Sequence, residues 1–342
     1  MKKLFINARY FIAPLLILAT LFGVIAGGPW VWTGVALLGV GIIIDTLHTR
    51  QTYGAGFDED GETNANPILQ NAVMYLMLPV FIALQCALAY QIYHGMAGTE
   101  LLGAVLSTGI FAGIGIIYGH ELAHTKGFSF LIARWMMALS GSAHFCYAHV
   151  YNHHLELGHE DDPATAPRGR SLYSHLVKSY FGQSKFLFTM EKQRLNRLGV
   201  PFLSWQNRWL RGYAMSIPTI ALFWYVGAWL GIACLGLIWL ISNFELEALN
   251  YLEHYGLIRE KGAPIDYRHS SWFFIEIGRQ ADHHDRGETH FWELDEVGAP
   301  DTGHGYFTLF AIALIPPLFH KLMKKELAKW DENEASEGEA KI

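Results

Sequence analysis

The chain carries 17 histidines, and eight of them fall in four short groups. In the first, Gly119-His120-Glu121-Leu122-Ala123-His124, the two histidines stand four residues apart. On a helix such positions share a face, so His120 and His124 can hold one metal ion. The second group, Ala148-His149-Val150-Tyr151-Asn152-His153-His154, repeats the spacing with His149 and His153. On a regular helix it turns His154 about 100° away, toward a second ion. The third, Asn250-Tyr251-Leu252-Glu253-His254, offers His254, and the fourth, Arg279-Gln280-Ala281-Asp282-His283-His284, offers His283 and His284. Imidazole suits iron, zinc, copper and nickel, and eight nitrogens exceed what one ion takes, so the pattern points to a two-metal centre. Glu121, Glu253, Asp161, Asp162 and Asp282, with His144 and His159, lie close enough in sequence to hold the outer ring N–H groups and raise ligand basicity. His48, His94, His175, His304 and His320 read as surface or satisfied core residues.

One group admits another chemistry. His120-Glu121-Leu122-Ala123-His124 matches H-E-x-x-H, the zinc-hydrolase pattern with Glu121 as general base, and on an apolar helix that describes an intramembrane metalloprotease. This alternative leaves His149, His153, His154, His283 and His284 without a task. A catalytic zinc needs only three protein ligands, so the surplus favours iron. A haem held by two histidines does not call for adjacent histidine pairs.

The elements that must position these groups are membrane helices. Hydrophobic residues make up 51% of the chain and charged ones 16%, with a net charge of −6, and mean hydropathy is +0.19. A soluble domain carries about 25% charged residues, and this deficit excludes a disordered chain and argues against nucleic-acid binding. About 20 apolar residues span a bilayer. Such stretches occur near 10–26, 30–47, 68–93, 101–118, 212–227 and 230–248. The last two come from Gly212–Phe244, which contains no Asp, Glu, Lys or Arg and is expected to turn near Gly227–Gly231. Six spans in three hairpins follow, in a single all-α integral-membrane domain over residues 1–342, with cytoplasmic segments 119–211 and 249–342. The loops near Gly28, at His94–Glu100 and near Gly227 hold no Lys or Arg. The positive-inside rule therefore puts them outside, with both termini and all four histidine groups on the cytoplasmic face. Asp58–Glu62 reads as a short acidic loop, and Lys324–Ile342 as a solvated helix.

Cys86, Cys146 and Cys234 form no Cys-x-x-Cys pair, and no glycine-rich phosphate loop follows a strand. Neither an iron–sulfur site nor a flavin or nicotinamide domain is encoded, so electrons must come from another protein. Basic residues Arg168, Arg170, Lys178, Lys185, Lys192, Arg194 and Arg197 lie on the expected cytoplasmic side, where they suit anionic lipid or an acidic electron carrier.

At HELAH, at AHVYNHH followed by DDPATAPRGRSLY, at NYLEHYGL, and at DHH followed by THFWEL, the sequence resembles the membrane-bound non-haem diiron alkane 1-monooxygenases. It also resembles the related xylene monooxygenase hydroxylase subunits. Both belong to the membrane fatty acid desaturase superfamily, and the likeness runs from about Asp45 to Trp330. It implies two non-haem iron ions held by His120, His124, His149, His153, His154, His254, His283 and His284, in a bacterial inner-membrane protein. It further implies O2-dependent hydroxylation of a terminal methyl group of a lipophilic hydrocarbon, with electrons from a rubredoxin- or ferredoxin-type donor and its reductase. Benzylic hydroxylation of alkylbenzenes and acyl-chain desaturation are the alternatives within the same chemistry. A metal-binding membrane scaffold or transporter is the non-enzymatic one. The family pattern expects a ninth histidine three positions before His283, where this chain has Gln280, with His269 and His290 nearby.

Overall fold

The computed structural model describes residues 7–47, 65–159, 162–257, 268–295 and 302–340. Every regular element among them is a helix. The apolar runs give α1 Ile12–Ala26, α2 Thr33–Leu47, α3 Pro67–Tyr93 and α4 Gly98–Ala123. Then come α5 Phe128–Leu139, the long polar helix α6 Leu172–Arg197, the short α7 Arg208–Ala214 and the long α8 Ile217–His254. The short α9 Gln280–Asp285, α10 Tyr306–Ala313 and α11 Pro316–Ala340 complete the chain. The acidic loop Asp58–Glu62, His48, Asp161 and the side chain of His269 lie outside the described residues.

Among the described residues five stretches are long and apolar enough to cross a membrane: Arg9–Ala26, Gly28–Leu47, Pro67–Tyr93, Gly98–Ala123 and Arg208–His254. The last is the one read from sequence as two spans, and it is not straight. Ala228 takes a left-handed backbone (φ 46°, ψ −127°), and beyond it Gly231 comes so close to Phe223 that a side-chain carbon there would meet the Phe223 carbonyl. On a straight helix these two residues would lie about 12 Å apart. The helix therefore folds back at Ala228, inside the Gly227–Gly231 turn expected from sequence. Two limbs result, and Gly231 permits their close approach.

α4 is the centre of the bundle, buried along most of its length, whereas Gly28–Leu47 faces largely outward. α4 packs on α8, α5, α3 and α2. At the end away from the histidines, the Gly28 amide donates to Glu100 at 2.6 Å, Tyr93 stacks on Tyr225, and Gly227 lies against Ile92. The three loops without Lys or Arg thus gather at one end. At the other end Asp45 ties α2 to the cap. Its carboxylate accepts from Ser270 Oγ at 3.0 Å and from the Phe307 amide at 3.1 Å, which caps the start of α10.

Candidate metal centre

Each histidine reaches the site from an element with a local reason to be there. α4 ends at Ala123 and presents His120 one turn before its end, with His124 as its cap. α8 ends at His254. The following turn is pinned to the loop carrying Asp162: the Gly256 amide donates to the Ala166 carbonyl at 2.7 Å, and Tyr251 Oη donates to the Arg170 carbonyl at 2.7 Å. His283 and His284 lie on α9, whose approach runs through Ile275 and Glu276, both with left-handed backbone. That conformation is strained for a β-branched residue. Glu276 is held there by Tyr10 Oη, which donates at 2.6 Å, and by Arg9 at 3.3 Å.

All eight histidines named from the sequence converge, in two groups: His120, His124, His149, His154 and His283, and separately His153, His254 and His284. Within each group the nearest ligand atoms all lie within 4.8 Å of one another. His120 Nε2 and His149 Nε2 are 2.7 Å apart, His149 Nε2 and His154 Nε2 2.9 Å, and His153 Nε2 and His254 Nε2 3.2 Å. Two nitrogens bound about 2.1 Å from one ion at right angles would lie about 3 Å apart. Further buried ring nitrogens, His124 Nε2, His283 Nε2 and both of His284, have no hydrogen-bond partner among the described residues. Convergent, unpartnered imidazoles at this spacing fit metal ions.

The partition corrects one expectation. His149–His153 forms a single π-helical turn, whose i→i+5 bonding brings side chains five apart onto one face. His149 is therefore grouped with His154, and His153 is the residue turned to the other group, the reverse of the assignment a regular helix gives. Phe145, one turn earlier, stacks on His149 with centroids 5.1 Å apart.

Burial, reinforced by neighbouring imidazoles, favours the neutral ring that a metal requires. It lowers His124 to about 4 and His154 to about 2, and holds His149, His283 and His284 well below the usual histidine value. Burial alone would raise Asp162. Its contacts with His153, Thr165 and the Ala164 amide win, and its carboxyl lies below the usual range. Asp162 Oδ2 accepts from His153 Nδ1 at 2.9 Å.

The other outer candidates divide. Glu253 lies 3.9 Å from His254 Nε2, accepts from Tyr306 Oη, and is faced by the Gln280 side chain. Gln280 therefore serves Glu253, and also lines a small pocket with His120, His149 and His153. Glu121 accepts from the Phe291 amide at 3.0 Å, with His290 Nδ1 4.0 Å away. This commits the base that the zinc-hydrolase reading needs. Asp282 turns to Arg286 and the Asp295 amide, and His159 is exposed. His144 packs edge-on against Tyr180 with centroids 4.9 Å apart, and among the described residues neither of its ring nitrogens has a hydrogen-bond partner. Among the described residues these three do not hold a clustered imidazole: Asp282 and His144 are aimed elsewhere, and His159 lies in an exposed bend. Tyr306, which the sequence did not single out, joins the site through Glu253. Its only advance signal is that it falls within the broad likeness from Asp45 to Trp330.

The fatty acid desaturase family model matches residues 99–309. The chain belongs to this family, within the branch of the membrane alkane and xylene monooxygenases, and is an oxidoreductase of the monooxygenase class. It is 28% identical to the xylene/toluene monooxygenase hydroxylase component of Pseudomonas putida, over 98% of this chain and 92% of that protein. It is 30% identical to an alkane 1-monooxygenase of Pseudomonas putida, over 77% and 69%. An alkane 1-monooxygenase 1 of Alcanivorax borkumensis is 28% identical, over 88% and 79%.

Proposed function

We propose that the chain hydroxylates a terminal methyl group of a lipophilic hydrocarbon, using O2 at two irons held by the two histidine groups. Electrons come from a separate rubredoxin- or ferredoxin-type protein fed by its reductase. One observation carries this reading. An apolar cavity of about 210 Å3 lies among the spans, between α1, α2, α4, α8 and α10, and Ile117 and Leu249 line both this cavity and the small pocket beside His120, His149 and His153. A molecule dissolved in the bilayer can enter between the helices and reach the centre without crossing water.

Bound there, the irons would supply the activation of O2 that an unactivated C–H bond demands, with two electrons from the donor protein and two protons, one oxygen atom entering that bond and the other leaving as water. The chain does the rest. His120, His124, His149, His154 and His283 would hold one ion, and His153, His254 and His284 the other. Asp162 orients His153. Ile117 and Leu249 bring the methyl group to the imidazoles and keep bulk water out. Lys178, Lys185 and Lys192 are exposed along α6 at intervals of seven residues, a positive stripe that suits an acidic electron carrier. The gathering of the loops without Lys or Arg at the far end supports both termini facing the cytoplasm at the inner membrane.

A benzylic methyl group is the second reading, favoured by the aromatic cavity wall of Phe111, Phe273, Phe274, Phe307 and Phe310. Metal analysis of the purified protein with Mössbauer spectroscopy, followed by turnover of alkanes and alkylbenzenes, tests both. About two irons per chain and an alcohol product are expected. One zinc per chain without iron would overturn the proposal.

A further inference from the structure

The apolar cavity contains one feature that a plain hydrocarbon does not require. Among its aliphatic and aromatic lining stands Glu245, on the second limb of α8. Its Oε2 is buried without a hydrogen-bond partner among the described residues. The other polar-tipped side chain of the wall, Tyr306, already gives its hydroxyl to Glu253. A carboxyl group inside a membrane span is costly and is kept where it meets a substrate, an ion or a partner group. The neighbouring helix makes room for this one. A side-chain carbon at Gly113 would come within 1.9 Å of Glu245 Oε2, so the glycine leaves a cradle for the acid.

Glu245, Leu249 and Leu252 line the same wall at helical spacing, and His254 lies roughly 13 Å further along the axis. A molecule about 10 Å long could therefore meet Glu245 with a polar group at one end and carry its methyl group past Ile117 and Leu249, about 6 Å along, toward the imidazoles.

We propose that Glu245 is a specificity residue that hydrogen-bonds a hydroxyl group at the far end of the substrate. The chain then takes medium-length lipophilic alcohols in preference to the bare hydrocarbons of equal length and oxidises the methyl group remote from the hydroxyl. The inference rests on the hydroxylase reading and narrows its substrate class. The step is the same: one oxygen atom of O2 enters the remote C–H bond, the other leaves as water with two protons taken from solvent, and the external donor protein supplies two electrons. The product is a diol.

The test compares 1-octanol with n-octane. Binding of each is measured on the metal-free protein in nanodiscs, and turnover on the iron-loaded protein supplied with a reduced ferredoxin. A site built around a hydroxyl discriminates against a substrate lacking it, so at least about a tenfold preference for 1-octanol is expected in both readouts. Glu245→Leu should erase or reverse that preference, and Glu245→Gln, which keeps a hydrogen-bonding side chain, should retain part of it. Equal preference in the wild type, or an unchanged preference in Glu245→Leu, overturns the proposal. If Glu245→Leu does not fold, the wild-type ratio and Glu245→Gln still decide. Glu245-dependent binding of 1-octanol without turnover of either compound would support the anchor while overturning the hydroxylase reading.

Discussion

Asp162 decides which nitrogen of His153 is free to bind. Its Oδ2 accepts the Nδ1 proton at 2.9 Å, so Nε2 is the atom presented to His254 Nε2, 3.2 Å away. A carboxylate in this position fixes ring orientation and makes the imidazole a better donor. Thr165 Oγ1 at 2.6 Å and the Ala164 amide at 3.0 Å lock the carboxylate in turn.

Replacing Asp162 by Asn should therefore weaken metal binding by the His153, His254 and His284 group by about 10- to 100-fold. The other group should be spared. Metal content during stepwise chelation measures this, with one ion leaving much earlier in the variant. Simultaneous loss of both ions, or no change, would count against a separate role for this pair.

The two groups differ in ligand number, and single deletions should expose that. His254→Ala leaves two histidines in its group, whereas His154→Ala leaves four in the other. Bound iron should fall to about one per chain in His254→Ala and stay nearer two in His154→Ala. Equal losses would contradict the partition set by the π-helical turn.

His144 and His175 lie buried outside the two groups, and burial lowers them to about 4 and about 3. Unfolded histidine titrates near 6.5, so as pH falls below about 6.5 the unfolded chain takes up protons that the native chain refuses. Stability is then full above pH 6.5 and is lost toward pH 4, by up to about 1.4 kcal/mol per pH unit for each group. His144→Phe removes one such group together with its two unpartnered nitrogens. Thermal melts of the metal-free protein between pH 7.5 and pH 5 should show a shallower acid loss in this variant, and metal content should match the wild type.

Reporter fusions at Gly28, Gly98 and Gly227 should all read as periplasmic, since Glu100 and Tyr225 draw their loops to one end of the bundle. Gly231→Val, which drives a branched side chain into the Phe223 carbonyl, should break the reversal and sharply reduce the yield of folded protein. A cytoplasmic signal at Gly227 would separate the first limb of α8 from the outward-facing loops.

The apolar runs, the turn between Gly227 and Gly231 and the four histidine groups were legible because each is written in neighbouring residues. Side-chain period and the absence of charge are local signals. What sequence could not reveal depends on backbone detail or on distant partners. The π-helical turn exchanges His153 and His154 through one extra residue, and no residue type in His149–His153 announces it. Gln280 stands where a ninth histidine was expected, and its neighbour Glu253 comes from the end of another helix. His144 and Asp282 lie close in sequence to the groups, yet local rotation points them at Tyr180 and Arg286.

The second limb of α8 runs from Trp229 to His254, roughly 40 Å at about 1.5 Å per residue, against a hydrocarbon core of about 30 Å. The helix works as a plumb line: set with Trp229 at one edge of that core, its surplus length would carry His254 past the tails to headgroup depth while leaving Glu245 within them. An alcohol made there would emerge beside water, and an inserted or deleted helical turn above Glu245 would displace the histidine groups by about 5 Å relative to the lipid.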